Sequence, residues 1–187
     1  MQTVTSAIKI AHLALQVVLP GARTVVDATA GQGSDTLFLA QHTDSDAHIY
    51  AFDIQPAALQ MTRVRTCQFA DRISYLLCSH TDIPAMVPQP IDAAIFNLGY
   101  LPGASHAVTT LPETTLQAVQ QVVSQLRVNG VLAIVVYPGH AAGRQEAELL
   151  APYIRSLPRR YFTSGCYKML NHAEQAPFAY IIEKVRG

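Results

Sequence analysis

Two glycines and an acidic residue near the start of the chain form a pattern that suits a nucleotide-like ligand. Asp27 stands four positions before Gly31, and Gly33 completes a G-x-G turn ahead of a predicted helix. Glycines let the backbone pass close beneath a ligand, and the N-terminus of the following helix supplies free N–H groups. A carboxylate at this place is a natural partner for a cationic group of that ligand. The alternative is a tight glycine turn that binds nothing.

The same turn argues against a nicotinamide dinucleotide. That fingerprint needs a third glycine three residues after the second, and Thr36 stands there instead. A phosphate-binding loop of the GxxxxGK type is also absent from the sequence. An NAD-dependent enzyme is therefore a poor interpretation.

Further polar residues follow the next predicted strands. Asp53 ends the second strand, where it can accept hydrogen bonds from both ribose hydroxyls or, alternatively, cap a helix. Ser79 and His80 follow the third strand. They can contact the adenine of such a ligand or, alternatively, belong to an ordinary polar turn. Asn97 ends the very apolar fourth strand, and Tyr100 comes three residues later. An amide oxygen can orient an attacking amine, and a tyrosine ring can stack on a base.

The elements that must position these residues alternate between apolar runs and amphipathic stretches, which is typical of an α/β fold with a mostly parallel sheet. The predicted strands are 24–29, 48–53, 73–78, 91–97, 130–137, 161–170 and 178–185. The predicted helices are 6–19, 35–41, 56–69, 112–126 and 143–157. Asn129 and Gly130 are expected to end the fourth of these longer helices. Only seven residues join the last two strands, so we expect an antiparallel pair.

Composition limits the classes of function. The 187 residues are 50% hydrophobic and 14% charged, which predicts a single folded domain over residues 1–187. The 13 basic and 13 acidic residues balance, so a polybasic nucleic-acid binder is excluded. No apolar run is long enough for a membrane span, and we expect a cytoplasmic protein. The three cysteines form no CxxC pair, so we expect no metal site and three buried, reduced thiols.

The chain resembles a known family over nearly its whole length. The segments that carry the resemblance are 27–40, 52–55, 79–80, 92–103, 114–115, 137–140 and 177–178. The most specific is Asn-Leu-Gly-Tyr-Leu-Pro-Gly at 97–103. In these segments the chain is similar to the bacterial tRNA 5-(aminomethyl)-2-thiouridine methyltransferases called MnmM, long described as rRNA methylases. It departs from them at Gln32, Pro138 and His172.

The resemblance implies a Rossmann-like class I methyltransferase fold, with a doubly wound seven-stranded sheet and an antiparallel C-terminal hairpin. It implies S-adenosyl-L-methionine as cofactor. The methyl acceptor would be the exocyclic amine of 5-aminomethyl(-2-thio)uridine at the wobble position of tRNA. The cofactor-binding residues expected from it are Asp27, Gly31, Gln32, Gly33, Asp35, Asp53, Ile54, Gln55, Ser79, His80 and Asn97. Asn97 would orient the amine, Tyr100 would contact the base or line the methyl channel, and His140 or His106 would accept a proton.

A tRNA substrate needs basic contacts, and the charge is unevenly distributed. Residues 1–150 carry 7 basic and 11 acidic residues, whereas residues 151–187 carry 6 and 2. Four basic residues without an acid between them are candidates for contact with an anticodon stem-loop: Arg155, Arg159, Arg160 and Lys168. A solvated charged edge is the alternative. A homodimer would enlarge this surface, although the sequence shows no interface.

Three functional hypotheses stay open at this point. The first is the tRNA wobble-uridine methyltransferase. The second is a class I methyltransferase that acts on rRNA or on a small amine. The third is a protein that binds S-adenosylmethionine without catalysis, although a polar residue at the end of so apolar a strand favours the enzymes.

Overall fold

The computed structural model describes residues 6–99 and 111–187. Its α-helices are α1 (Ala7–Gln16), α2 (Ser34–His42), α3 (Pro56–Arg65), α4 (Ile83–Met86), α5 (Pro112–Gln125) and α6 (Ala141–Ser156). Its strands are β1 (Thr24–Asp27), β2 (His48–Asp53), β3 (Ile73–Leu77), β4 (Ile91–Asn97), β5 (Leu126–Val136), β6 (Phe162–Tyr167) and β7 (Phe178–Lys184). Short 3-10 turns cover Cys67–Arg72 and His80–Asp82.

All seven strands join one sheet in the order β3-β2-β1-β4-β5-β7-β6. The first five strands pair in parallel, whereas β7 runs antiparallel to both of its neighbours, β5 and β6. The predicted doubly wound sheet and the antiparallel terminal pair are therefore confirmed. The chain leaves β1 toward β2 and leaves β4 toward β5, so a crevice opens at the carboxyl ends of these two central strands.

Two hydrophobic cores cover the two faces of the sheet. One contains buried side chains of α1, α2 and α3, among them Leu15, Leu39 and Leu59. The other contains side chains of α4, α5 and α6, such as Val119 and Leu150. Helices on both faces explain why β4 is apolar except at Asp92 and Asn97: its first six residues are buried, and only its last residue is partly exposed.

The start of β5 differs from the prediction. α5 ends at Gln125, and the strand begins at Leu126, so Asn129 and Gly130 lie inside β5 and do not end the helix. Asn129 has a φ of 63°, and the register between β4 and β5 shifts between Ile91 and Ala93. An Asn-Gly pair suits an irregular position within a strand as well as a helix end, because both positions favour positive φ angles.

Two smaller expectations also need correction. α3 ends at Arg65, four residues earlier than predicted, and the 3-10 turn Cys67–Arg72 continues the chain. Cys67 and Cys166 are exposed thiols, so the prediction of three buried cysteines was wrong. Within the described ranges, no helix has the length and apolar character needed to cross a membrane.

Candidate active site

A cavity of about 830 Å³ opens at the carboxyl edge of the sheet, where the chain leaves β1 and β4 in opposite directions. Its lining residues come from within 28–35, 53–55, 78–80, 97–99, 137–140 and 175–177, together with Leu111 and Thr114. Each of the five parallel strands thus delivers the residues that follow it to one space. The volume lies in the range of small-molecule sites.

The glycine turn after β1 forms the floor of this cavity. Gly31 and Gly33 have φ angles of 52° and 79°, which glycine adopts at little cost. The N–H of Gly31 donates to Asp53 Oδ2 at 2.9 Å. Gly33 lies against α3, where an added Cβ would come within 2.7 Å of Thr62 Cα. The second glycine therefore serves helix packing, and the first faces the cavity.

The carboxylate of Asp53 lines the cavity and also accepts hydrogen bonds from the backbone at its rim. Its Oδ1 accepts from the N–H of Gln55 at 2.9 Å, while Oδ2 accepts from Gly31. The N-cap of α3 is Gln55, without a side-chain cap bond, so Asp53 does not fill the alternative role of helix N-cap. Ile54, beside it, is 57% exposed while lining the cavity, and it offers an apolar face to a flat ring.

Asp27 lies behind the cavity wall and does not line it. The side chain is fully buried, and it accepts from Thr29 N–H at 3.1 Å and from Thr36 Oγ at 2.6 Å. Burial, and then the nearby charge of Asp35, raise the pKa of the Asp27 carboxyl from 3.8 to about 7. Asp35 is the acidic residue of this pair that reaches the cavity.

Asn97 occupies the centre of the polar wall. Its backbone N–H donates to Thr29 Oγ at 2.8 Å, and its side-chain Nδ2 donates to Asp35 Oδ2 at 2.9 Å. Tyr137, after β5, lies on its other side. Burial first, and then the charge of Asp35, raise the pKa of the Tyr137 hydroxyl, and a hydrogen bond with the Asn97 side chain partly offsets both.

Two histidines, His80 and His140, lie at opposite walls of the cavity. His80 is 8% exposed, and burial lowers the pKa of its ring, an effect that the nearby backbone of Ala28 and Thr114 partly offsets. His140 caps α6, and its Nδ1 accepts from the N–H of Gly143 at 3.1 Å. Both line the cavity. His140 thus has a structural task in the helix cap as well as its place in the site.

The structure brings most of the predicted cofactor-binding residues together. Those that line the cavity are Gly31, Gln32, Asp35, Asp53, Ile54, Gln55, Ser79, His80 and Asn97. Gly33 and Asp27 support them from outside the cavity surface. Tyr100 and His106 lie outside the described residues. The roles of all these side chains stay predictions.

The four predicted RNA-binding residues do not form one patch. Arg155 and Lys168 share a groove of about 240 Å³ between α6 and β6, with no acidic side chain among its lining residues in the described chain. Arg159 and Arg160 precede β6 at its opposite end, and the strand separates them from Lys168 by roughly 20 Å at about 3.3 Å per residue.

Sequence reasoning missed several residues of the site. Thr29, Tyr137, Thr114 and Gln175 all lie in the cavity lining, and His12 reaches the site from α1. Three of them, Thr29, Thr114 and Tyr137, stand in segments that carried the family resemblance, which was a usable signal. Nothing in the pattern of the first helix points to His12.

The charge of the lining restricts the ligand. Among the described residues it includes the carboxylates of Asp35 and Asp53 and no lysine or arginine. A cationic or neutral ligand fits this surface, whereas phosphates would meet acidic groups without a counter-charge. In the same part of the chain, no group of three or more His, Cys, Asp or Glu side chains is placed to hold a metal ion.

Comparison with known proteins finds relatives that are described as RNA methylases or methyltransferases. Residues 49–183 match the family model described as "Putative rRNA methylase". The tRNA (mnm(5)s(2)U34)-methyltransferase, chloroplastic, of Arabidopsis thaliana is 32% identical over 177 residues, which are 88% of this chain. The chain spans 65% of the length of that relative.

Two solved structures superpose on most of the chain. A putative rRNA methylase from Clostridium thermocellum superposes with a TM-score of 0.93 at 31% identity, covering 98% of this chain and 100% of its own. A putative methyltransferase from Streptococcus mutans in complex with SAH gives a TM-score of 0.87 at 38% identity, covering 97% and 99%. The resemblance inferred from the sequence motifs is thereby confirmed.

The contact between Gly33 and α3 predicts a specific sensitivity. Gly33→Ala should lower the free energy of unfolding by about 3 kcal/mol, because a side chain at positive φ is strained and its Cβ meets Thr62. Urea denaturation measures the change. Gly165→Ala is the control: nothing lies within 4 Å of its added Cβ, so it should change stability little. Equal effects of the two substitutions would contradict the packing role of Gly33.

The buried Asp27 predicts a pH dependence of stability. Its pKa is raised in the folded protein, so its contribution to stability is complete below pH 4 and is lost as the pH rises through 7. Asparagine does not ionise, so the Asp27→Asn variant does not lose this stability as the pH rises. Between pH 5 and pH 8, the melting temperature of Asp27→Asn relative to the native protein should rise by roughly 5 °C.

Thermal unfolding across this pH range tests the shift. Asp71→Asn, at an exposed position in the 3-10 turn, serves as the control and should show no such trend. A difference between Asp27→Asn and the native protein that stays constant with pH would show that the Asp27 carboxyl keeps its ordinary pKa.

Proposed function

The chain belongs to the "Putative rRNA methylase" family, and from its site we propose that it is an S-adenosylmethionine-dependent N-methyltransferase. The proposed reaction converts 5-aminomethyl(-2-thio)uridine at the wobble position of tRNA to the 5-methylaminomethyl nucleoside. The observation that carries the proposal is the Asn97 amide, held by Asp35 in an acidic cavity at the β1–β4 crevice.

The cavity fits the proposed cofactor in charge and shape. S-adenosylmethionine, when bound, supplies an electrophilic methyl group on a positively charged sulfonium. Asp53 has the place to accept hydrogen bonds from the ribose hydroxyls, and Ile54 offers an apolar contact to the adenine. Asp35 supplies negative charge for the cationic part, with Asp27 behind it. The related S. mutans methyltransferase was solved with SAH, which supports this assignment.

Asn97 is the proposed catalytic residue. Its Nδ2 is turned toward Asp35, so Oδ1 is the end of the amide that can accept an N–H from the substrate amine. Such a bond orients the nitrogen lone pair away from Asn97 and holds the nucleophile in place. Burial of the amine lowers its pKa and favours the neutral, reactive form. Tyr100 and His140 keep their predicted roles at the base and as proton acceptor.

The choice of tRNA as substrate rests on two supports. The A. thaliana relative is named for the U34 nucleoside that the proposed reaction forms. The groove with Arg155 and Lys168 supplies positive charge beside β7, since Lys168 Nζ lies 4.6 Å from the Phe178 ring and Pro177 lines the cavity. A cytoplasmic location and a homodimer stay predictions from the sequence.

Nucleoside mass spectrometry tests the reaction directly. The protein and S-adenosylmethionine are incubated with tRNA that carries 5-aminomethyl-2-thiouridine. The expected result is one added methyl group on that nucleoside, absent without the cofactor. No gain, with cofactor binding confirmed by calorimetry, would overturn the tRNA assignment. Parallel incubations with rRNA and with small alkylamines distinguish the two alternative substrates.

Substitution of Asn97 separates chemistry from binding. Asn97→Ala should lower kcat about 100-fold, because the amine loses its orienting acceptor, while the affinity for SAH changes less than about threefold. Single-turnover kinetics and calorimetry measure the two quantities. Gln68→Ala removes an exposed amide far from the cavity and should leave both unchanged. Native turnover in Asn97→Ala would remove Asn97 from the mechanism.

The groove predicts where RNA phosphates bind. The double variant Arg155→Gln/Lys168→Gln should raise KM for tRNA at least about tenfold and reduce the salt dependence of binding by roughly two phosphate contacts. Its kcat at saturating tRNA should stay near the native value.

A charge-matched control is available on the same strand. Arg159→Gln/Arg160→Gln removes two positive charges at the opposite end of β6 and should change KM less than about twofold. If both double variants weaken tRNA binding equally, net charge and not the groove determines the affinity.

A further inference from the structure

His12 connects the first helix to the candidate active site. Its Nε2 lies 2.7 Å from Asp35 Oδ1, and the two residues are 23 positions apart in sequence. It does not line the cavity, and neither the sequence motifs nor the proposed reaction gave it a task. The Asp35 side chain between it and the cavity is only 7% exposed.

The chemistry of the groups fixes the direction of both hydrogen bonds on Asp35. An ionised carboxylate only accepts, so His12 must carry its hydrogen on Nε2, and Asn97 must turn its amide nitrogen and not its oxygen toward Asp35. The two oxygens of Asp35 are therefore shared between a histidine outside the cavity and an asparagine on its wall. The first contact sets the rotation of the carboxylate that the second contact requires.

The ring of His12 is itself held firmly. It stacks on Phe38 with ring centroids 3.7 Å apart and an angle of 5° between the planes. Its side chain is 23% exposed. Stacking against a helix that also carries Asp35 keeps the imidazole at a fixed place relative to that carboxylate.

We propose that His12 is a positioning residue for methyl transfer, acting through Asp35 to present the amide oxygen of Asn97 to the acceptor amine. This inference rests on the proposed function of the site. Without the His12 donor, Asp35 can rotate, and the Asn97 amide loses the partner that distinguishes its two ends. A reversed amide would donate an N–H to the nitrogen lone pair and so occupy the electrons needed for attack.

Two substitutions separate the ring from its hydrogen bond. His12→Phe keeps a flat ring for the stack on Phe38 but removes the donor. His12→Gln removes the ring but places an amide N–H where Nε2 stood. His42→Phe is the control, since His42 packs 4.4 Å from the other side of Phe38. In the described part of the chain it forms no hydrogen bond with Asp35, and its Nδ1 contacts the Phe38 carbonyl at 2.8 Å.

The expected result is a specific kinetic pattern. His12→Phe should lower kcat at least about tenfold, with KM for tRNA and SAH affinity close to native values. His12→Gln should retain turnover within about threefold of the native enzyme, and His42→Phe should match it. Equal loss in His12→Phe and His12→Gln would overturn the proposal, and so would native turnover in His12→Phe.

A readout without substrate keeps this test independent of the proposed reaction. In NMR spectra of the full chain, the side-chain NH₂ signals of Asn97 should shift in His12→Phe and return toward native positions in His12→Gln. If the native enzyme fails to methylate the tRNA nucleoside, the proposed function fails, while the NMR pattern still decides the positioning role. Unchanged Asn97 signals in His12→Phe would overturn it.

Discussion

The ends of β1 and β4 are joined beyond the last pair of their ladder, and the whole site depends on this junction. The Asn97 N–H bonds to the Thr29 hydroxyl, and the Thr29 N–H bonds to the buried carboxylate of Asp27. Asp27 also receives the Thr36 hydroxyl from the first turn of α2. One buried carboxylate thus ties a strand end, a turn and a helix together. These hydrogen bonds hold Thr29, Thr36 and, through Thr29, Asn97 in place, although Asp27 itself does not line the cavity.

This arrangement has an energetic cost that a ligand can offset. Asp27 and Asp35 are two carboxylates in a poorly solvated region, and the raised pKa of Asp27 reflects first its burial and then the charge of Asp35. A cation bound in the cavity lowers the cost of ionising Asp27. The same charges that lower the stability of the protein near neutral pH are therefore those that favour a positively charged cofactor over one that carries phosphates.

Most of the scaffold was predictable, because strand ends in this fold are marked by abrupt changes of residue type. β2 and β4 have the predicted bounds, since a clear apolar run ends in Asp53 and in Asn97. The start of β5 was not predictable, because Asn129-Gly130 fits two conformations equally well. His12 escaped notice for a different reason. Its partner Asp35 lies in another helix, and no periodicity within one element reveals a hydrogen bond between two.

The placement of β7 has a consequence for the order in which the molecule is assembled. β7 is the last of the seven strands in sequence, yet it lies between β5 and β6 in the sheet. Among the described strands, β6 pairs only with β7. Its hydrogen bonds within the sheet therefore cannot form until β7, which follows it in the sequence, has been synthesised. The cavity wall at Gln175 and Pro177 and the cationic groove beside β6 form in that same event. A nascent chain that lacks these residues can bury much of its parallel core, but it cannot yet build either surface on which recognition would depend.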